Sequence, residues 1–198
     1  NTNVGVTTFT GDLTIPDKII HSGDTNTAIR FPAADTFTVE TGGSERLRID
    51  SGGRLLVGTT SAQSVYGNPA VVQIEGTTGA TSTMSLVRHG NSPYLVLGSS
   101  GGSSLGAVTA LSSGDRIGQI TFAGADGTDI NTHSASIAAY VDGSVSSNAV
   151  PGRIVFATST GASEIERLRI TSDGITKFNR YSGTAGKGRI EFGNSGEQ

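Results

Sequence analysis

The chain has 198 residues and a net charge of −3, with 34% hydrophobic residues, 29 glycines, no cysteine and no tryptophan. This excludes a disulfide framework and thiol chemistry, gives no concentrated positive field for nucleic acid, and leaves only a thin core for one copy to bury. Glycine and Ser/Thr runs, with Val, Ile, Leu and Phe as the main apolar residues, predict many turns, little helix and an all-β chain. No apolar run approaches the roughly 20 residues needed to cross a bilayer, so no membrane insertion is expected. The opening "NTNVGVTTFT" lacks the basic and apolar regions of a signal peptide.

In chain order, the first strong pattern is "DTFTVE", which places Phe37 and Val39 on one face and Thr36, Thr38 and Glu40 on the other. That two-residue alternation is the mark of a strand with one dry side. "ERLRID" repeats it, with Leu47 and Ile49 set against Arg46, Arg48 and Asp50. Gly42, Gly43, Gly52 and Gly53 supply the turns, so residues 35–58 read as a short β-meander closing on "RLLVG". The middle of the chain carries the apolar segments "AVVQIE", "SLVRH", "YLVLG", "GQITFAG", "ASIAAYV" and "GRIVFAT", which predict a sandwich or β-prism layer. Between them, "GSSGGSSLG" reads equally as a flexible linker or a tight packing corner.

The meander then returns. "ERLRIDSGGRLLVG" from Glu45 and "ERLRITSDGITKFN" from Glu166 share seven of fourteen positions. In both, the final turn glycine, Gly53 or Gly174, is expected to occupy the positive-φ region. "GRIVFAT" from Gly152 is echoed by "GRIEFGNSGEQ" from Gly188 and faintly by "TAIRFPA" from Thr27, so the chain reads as a segment of a longer modular protein. The expected divisions are 1–60 as a first shaft repeat, 61–162 as a central β module, and 163–198 as a second repeat with the start of a further one.

One such repeat offers three or four large apolar side chains, each contributing roughly 1.5–3 kcal/mol when buried. Ordering its residues costs about 1–2 kcal/mol each in backbone entropy. The unit therefore needs neighbours, and because a hundred-residue insert separates the copies, association of identical chains around a threefold axis is the simplest solution. The expected trimer core is Phe37, Val39, Leu47, Ile49, Leu168 and Ile170. The expected inter-chain polar residues that fix register are Glu45, Arg46, Arg48, Glu166, Arg167 and Arg169.

Taken together, "SPYLVLGSSGG", "GDRIGQITFAGADGTDIN", "ASIAAYVDG", "PGRIVFATST" and "ERLRITSDG" resemble modules of phage tail fibres and related virion fibre proteins, in particular those of phages infecting cyanobacteria and other marine bacteria. The resemblance spans nearly the whole chain and is strongest from about 84 to 178. It implies an elongated, homotrimeric, all-β fibre of β-meander, β-prism or triple β-helix repeats with a sandwich-like central module. It also implies a structural role on the virion, extracellular after release, with other tail proteins and a host glycan or receptor as partners. The alternative is a tailspike-type protein that binds or cleaves host glycans.

The candidate chemistry is sparse, and neither an enzyme nor a cofactor is expected. Paired carboxylates cleave most glycosides, and the available groupings are Asp126 with Asp129 and Glu164 with Glu166. Asp126 precedes glycine, where aspartate caps turns through its side chain, and Glu164 and Glu166 flank Ile165 as on a solvated strand. His21, His89 and His133 are singletons without metal-ligand spacing. "DGTD" has oxygen ligands but lacks the spacing of a calcium loop, and "GSSGGSSLG" has no following lysine for phosphate. The arginines of the repeat fit a register-fixing ion-pair ladder, with a stripe for acidic glycans as the functional alternative.

Overall fold

The computed structural model describes residues 8–161 and 163–179. The echo at Gly188 lies outside them. Among the described residues there is no α-helix; one turn of 3-10 helix spans Gly79–Thr81.

The first sheet contains β1 (Lys18–His21), β2 (Asp24–Arg30), β3 (Phe37–Thr41), β4 (Ser44–Ile49) and β5 (Leu55–Val57) as an antiparallel meander. After a minimal hairpin of β6 (Ser64–Val65) and β7 (Asn68–Pro69), β8 (Val72–Ile74) returns to pair with β5 in parallel. The second sheet contains β9 (Arg116–Gly124), β10 (Thr132–Val141), β11 (Gly152–Ser159), β12 (Glu164–Ile170) and β13 (Thr176–Phe178), all antiparallel. Neither sheet closes into a barrel, since each has two edge strands.

The chain divides into two compact units: residues 1–64 with 68–86, and residues 65–67 with 87–198. The short 65–67 tip belongs to the second unit, where the Tyr66 ring stacks on His133 with centroids 3.9 Å apart.

The two halves of the sequence repeat are the same structure. In the first, β3 and β4 pair Phe37 with Ile49, Thr38 with Arg48 and Val39 with Leu47. In the second, β11 and β12 pair Ile154 with Ile170, Val155 with Arg169 and Phe156 with Leu168. In both copies the next pair skips a residue, Glu40 to Glu45 and Ala157 to Glu166, which leaves Arg46 and Arg167 as the extra residues of equivalent β-bulges. The turns correspond as well: Gly53 N–H donates to the Asp50 carbonyl at 2.8 Å, and Gly174 N–H to that of Thr171 at 3.0 Å. Their φ values, +74° and +82°, match the sequence expectation.

Several predicted elements differ. "SLVRH" and "YLVLG" form no strand, because no stretch of the described chain pairs with them. "GSSGGSSLG" is a packing corner rather than a linker. Ser100 Oγ accepts from the N–H groups of Gly102 and Thr109, at 3.2 and 3.0 Å, and donates to the Ala107 carbonyl at 2.8 Å. The central module has no second packed layer of its own strands; "GQITFAG", "ASIAAYV" and "GRIVFAT" are consecutive members of one sheet that runs on into the repeat.

Candidate functional site

Residues directly opposite in a ladder share a face, so the register defines what each sheet presents. One row of the first sheet reads Ile19, Ile29, Val39, Leu47, Val57 and Ile74, strand by strand from β1 to β8. A second row on that face runs Phe37, Ile49, Leu55 and Val72, and Phe31 meets Phe37 edge-on at 6.0 Å. The second sheet repeats the design, with Ile120, Ile137, Phe156, Leu168 and Phe178 in one row and Ala139, Ile154 and Ile170 in the next. The described chain leaves these faces largely open, apart from Leu97 against Gly118 and the buried Val141 on the second. Ile49 is 43% exposed, Ile154 45% and Phe178 57%, while Phe37, Val39, Leu47 and Leu168 are half-buried. The structure thus places Phe37, Val39, Leu47 and Ile49 together on one open apolar surface, and Leu168 and Ile170 on its counterpart.

The small core of the first sheet lies on the opposite face, which the sequence pattern assigned to solvent; in the second sheet Ser136, Ala138 and Val155 are buried on that face, while the fully buried Val141 lies on the side of Ile137 and Ala139. On its opposite face the first sheet presents Arg30, Thr38, Arg48, Leu56 and Gln73 in register. Leu56 and Thr38 are fully buried at 0% exposure, and Ala28 and Gln73 nearly so. The Gln73 side chain is saturated by Gln63 N–H at 2.9 Å and by the carbonyls of Gln63 and Ala70, both at 3.1 Å. Sequence reasoning missed Leu56; its signal was the run Leu55-Leu56-Val57, since three consecutive apolar residues on a strand require both faces to be dry.

The bulge explains the ion pairs. In a regular strand, residues three apart point to opposite faces, so Glu45 could not meet Arg48. The extra residue resets the phase, and Arg48 binds Glu45 in a two-pronged pair at 2.7 and 2.7 Å. Arg169 grips Glu166 in the same way at 3.0 and 2.6 Å. Each carboxylate holds its guanidinium above the ordinary arginine value, chiefly through these hydrogen bonds. Each pair lies within one strand. Arg46 and Arg167, at the bulge itself, turn away from the acids and donate instead to Thr41 Oγ1 at 3.1 Å and Thr158 Oγ1 at 2.8 Å. Both threonines belong to the apolar side, since Thr41 alternates with Glu40 and Thr158 shares a face with Ala135. This corrects the assignment of all four arginines to the face opposite Leu47 and Leu168.

On the polar side of the second sheet, Ser136, Tyr140, Arg153, Glu164, Glu166 and Arg169 line a shallow groove. Lys177 stands there where the first repeat has Leu56, so this side is less filled. Arg153 lies over the Tyr140 ring at 5.0 Å and also binds Asp142 at 3.0 Å. Glu166 is engaged on both oxygens by Arg169, with Asn179 adding a bond at 2.6 Å, and Glu164 accepts from Ser136 Oγ at 2.8 Å. Asp126 is a turn cap: its carboxylate takes Thr128 N–H at 2.8 Å, Asp129 N–H at 3.2 Å and Thr132 Oγ1 at 3.0 Å, which hold it below the ordinary aspartate range. Asp129 caps the next residues through Asn131 N–H at 2.9 Å. Among the described residues, no cluster of three or more His, Asp or Glu is gathered to hold a metal ion, and no helix is long and apolar enough to cross a membrane.

No protein-family model and no curated protein matches the chain. Solved structures do, among them two of one phage tail-fibre domain. The carboxy-terminal domain of the bacteriophage T5 L-shaped tail fibre aligns with a TM-score of 0.61 at 15% identity, covering 100% of this chain and 97% of that one. The same domain with its intra-molecular chaperone domain aligns with a TM-score of 0.61 at 16% identity, covering 98% of this chain and 68% of that one. The all-β fold is shared with that tail-fibre domain.

Proposed function

We propose that the chain is a structural segment of a virion tail fibre, a homotrimeric shaft that carries or positions host-receptor binding during adsorption and has no catalytic activity. The observation that carries this is the pair of open apolar faces. The first sheet buries its small core on the ion-paired side, the second buries Ser136, Ala138 and Val155 there and Val141 at the end of the other, and both leave rows of Ile, Val, Leu and Phe exposed or half-buried. A soluble monomer rarely exposes a contiguous apolar patch above a few hundred Å², whereas burying each of these side chains stabilises by roughly 1.5–3 kcal/mol.

A threefold axis lets identical faces cover one another with one kind of contact, and the shared fold with a tail-fibre domain supplies the biological setting. The face charges fit, because Glu45 and Glu166 are neutralised within their own strands and Glu40 by Arg30, and no acid stands on the apolar rows. For catalysis, glycoside cleavage needs a free carboxylic acid beside a free carboxylate; Glu164 keeps one oxygen without a partner among the described residues, but its neighbour Glu166 is bound on both oxygens, and Asp126 and Asp129 cap turns.

Sedimentation equilibrium tests the assembly. The expected mass is about 60 kDa, three times 20.1 kDa, and Leu47→Asp is expected to abolish it by setting three unpaired charges in a shared apolar interior. A folded monomer at micromolar concentration refutes the assembly. Release of reducing sugar from host envelope, lost in Glu164→Gln or Glu166→Gln, refutes the absence of catalysis.

A further inference from the structure

Between the two sheets the chain contains a stretch that is built like a strand but pairs with nothing. From Met84 to Gly98 the only hydrogen bond in the described chain is local, from Ser92 N–H to the neighbouring Asn91 side chain at 2.7 Å. Within it, Tyr94, Leu95 and Val96 are 73%, 63% and 80% exposed. Side chains alternate sides along an unbent backbone, so three exposed residues in succession mean that both sides face outward. A continuous apolar run of this kind suits a strand covered on both faces, not a surface loop. Its unpaired N–H and C=O groups also present a row of free donors and acceptors.

The stretch is anchored. A Cβ at Gly118 would lie 2.8 Å from Leu97 Cβ, so Leu97 rests directly on the glycine. Gly118 pairs with Ala139 and therefore stands on the open apolar face of the second sheet. The run thus emerges from an apolar surface that is itself uncovered. Beside it is β9, an edge strand of nine residues on which Ile120 and Phe122 are exposed. Its one charged residue, Arg116, stands at the first position and lies over the Tyr140 ring at 5.9 Å, so the remaining apolar edge is a template for pairing with another chain. The opposite edge, β13, has only three residues and carries Lys177.

We infer that Tyr94–Leu97 is an inter-chain strand, covered by the β9 side of the second sheet of a second copy of this chain. This rests on the homotrimeric assembly proposed above and assigns one of its contacts. A second copy is the occupant because it supplies, in equal number, what the segment lacks: a free backbone edge and an apolar face, uncharged from Ile117 to Gly124. A charged partner would find no counter-ion, since residues 94–97 and the adjoining rows contain no acidic or basic side chain.

The experiment joins amide hydrogen exchange with chain mixing on the full-length protein. In the assembled species, amides 94–98 are expected to exchange about 100-fold or more slower than in the dissociated chain. Copies carrying a photo-crosslinker in place of Val96, mixed and reassembled with isotope-labelled parent, are expected to yield covalent light–heavy pairs attached at β9. A trimer in which amides 94–98 exchange freely, or in which every crosslink is within one chain, overturns the inference while leaving the assembly intact. A monomer at all concentrations overturns both.

Discussion

Thr38 offers a test in which the protein supplies its own control. The side chain is buried at 0% exposure, and its Oγ1 has no hydrogen-bond partner among the described residues. A buried hydroxyl without a partner costs about 1–3 kcal/mol. At the corresponding place in the second repeat, opposite Arg169 as Thr38 is opposite Arg48, the chain has Val155. Thr38→Val keeps the shape, removes the polar group and is therefore expected to stabilise the chain by about 1–2 kcal/mol. The reciprocal change, Val155→Thr, places an unpaired hydroxyl at 7% exposure and is expected to destabilise by about 1–3 kcal/mol. Urea denaturation at matched protein concentration reads both, as shifts of midpoint at constant slope. If Thr38→Val destabilises the chain, the hydroxyl is engaged by a group outside it. If Val155→Thr also leaves the midpoint unchanged, the equivalence of the two polar faces is wrong.

Leu56→Ala, which empties the best-buried site of the first unit, is expected to cost about 2–5 kcal/mol; a thermal melt unchanged by it refutes the burial of this side chain. Gly53→Val and Gly174→Val meet no neighbouring atom within 4 Å, so their cost is the backbone's alone, about 1–3 kcal/mol, and asparagine at either position is expected to recover most of it. Asp142 takes Ser172 N–H at 2.9 Å and Arg153 at 3.0 Å, which together hold its carboxyl below its ordinary value. A depressed folded-state value contributes stability that is complete above the unfolded value near 3.8 and lost as pH falls through the folded one. Melting temperature is therefore expected to drop below about pH 4, and Asp142→Asn to flatten that drop; an unchanged slope in the variant counts against the role of this carboxylate.

Much of the repeat is legible in the sequence because its signals are local. Alternation identifies β3 and β4, Gly53 and Gly174 mark the turns, and identity over fourteen residues shows that the two meanders correspond. The bulge is not legible, since period-two reading assumes an unbroken phase. The same "ERLRI" that seems to set Glu45 beside Leu47 in fact sets it beside Arg48. Leu56 was overlooked for a related reason: a strand so short shows no alternation to decide which face is covered. "YLVLG" has strand composition, but composition carries no information on whether the pairing strand lies in the same chain. The groove on the second sheet follows from one substitution, Lys177 for Leu56, which only a register places at equivalent points.

The contrast between the Ser100 corner and the stretch before it also governs where the protein opens to attack. By composition, the glycine- and serine-rich residues 98–106 are the natural place for a protease to enter. Yet one hydroxyl ties that loop at three points, and a cleavage site must first unravel to fit a protease cleft. The vulnerable bond is instead the one after Arg88, the sole Arg or Lys from Met84 to Gly98, in backbone without hydrogen bonds to the rest of the described chain. Trypsin thus becomes a gauge of the proposed association: cleavage at Arg88 is expected to be rapid in a free chain and to slow if copies close over the segment.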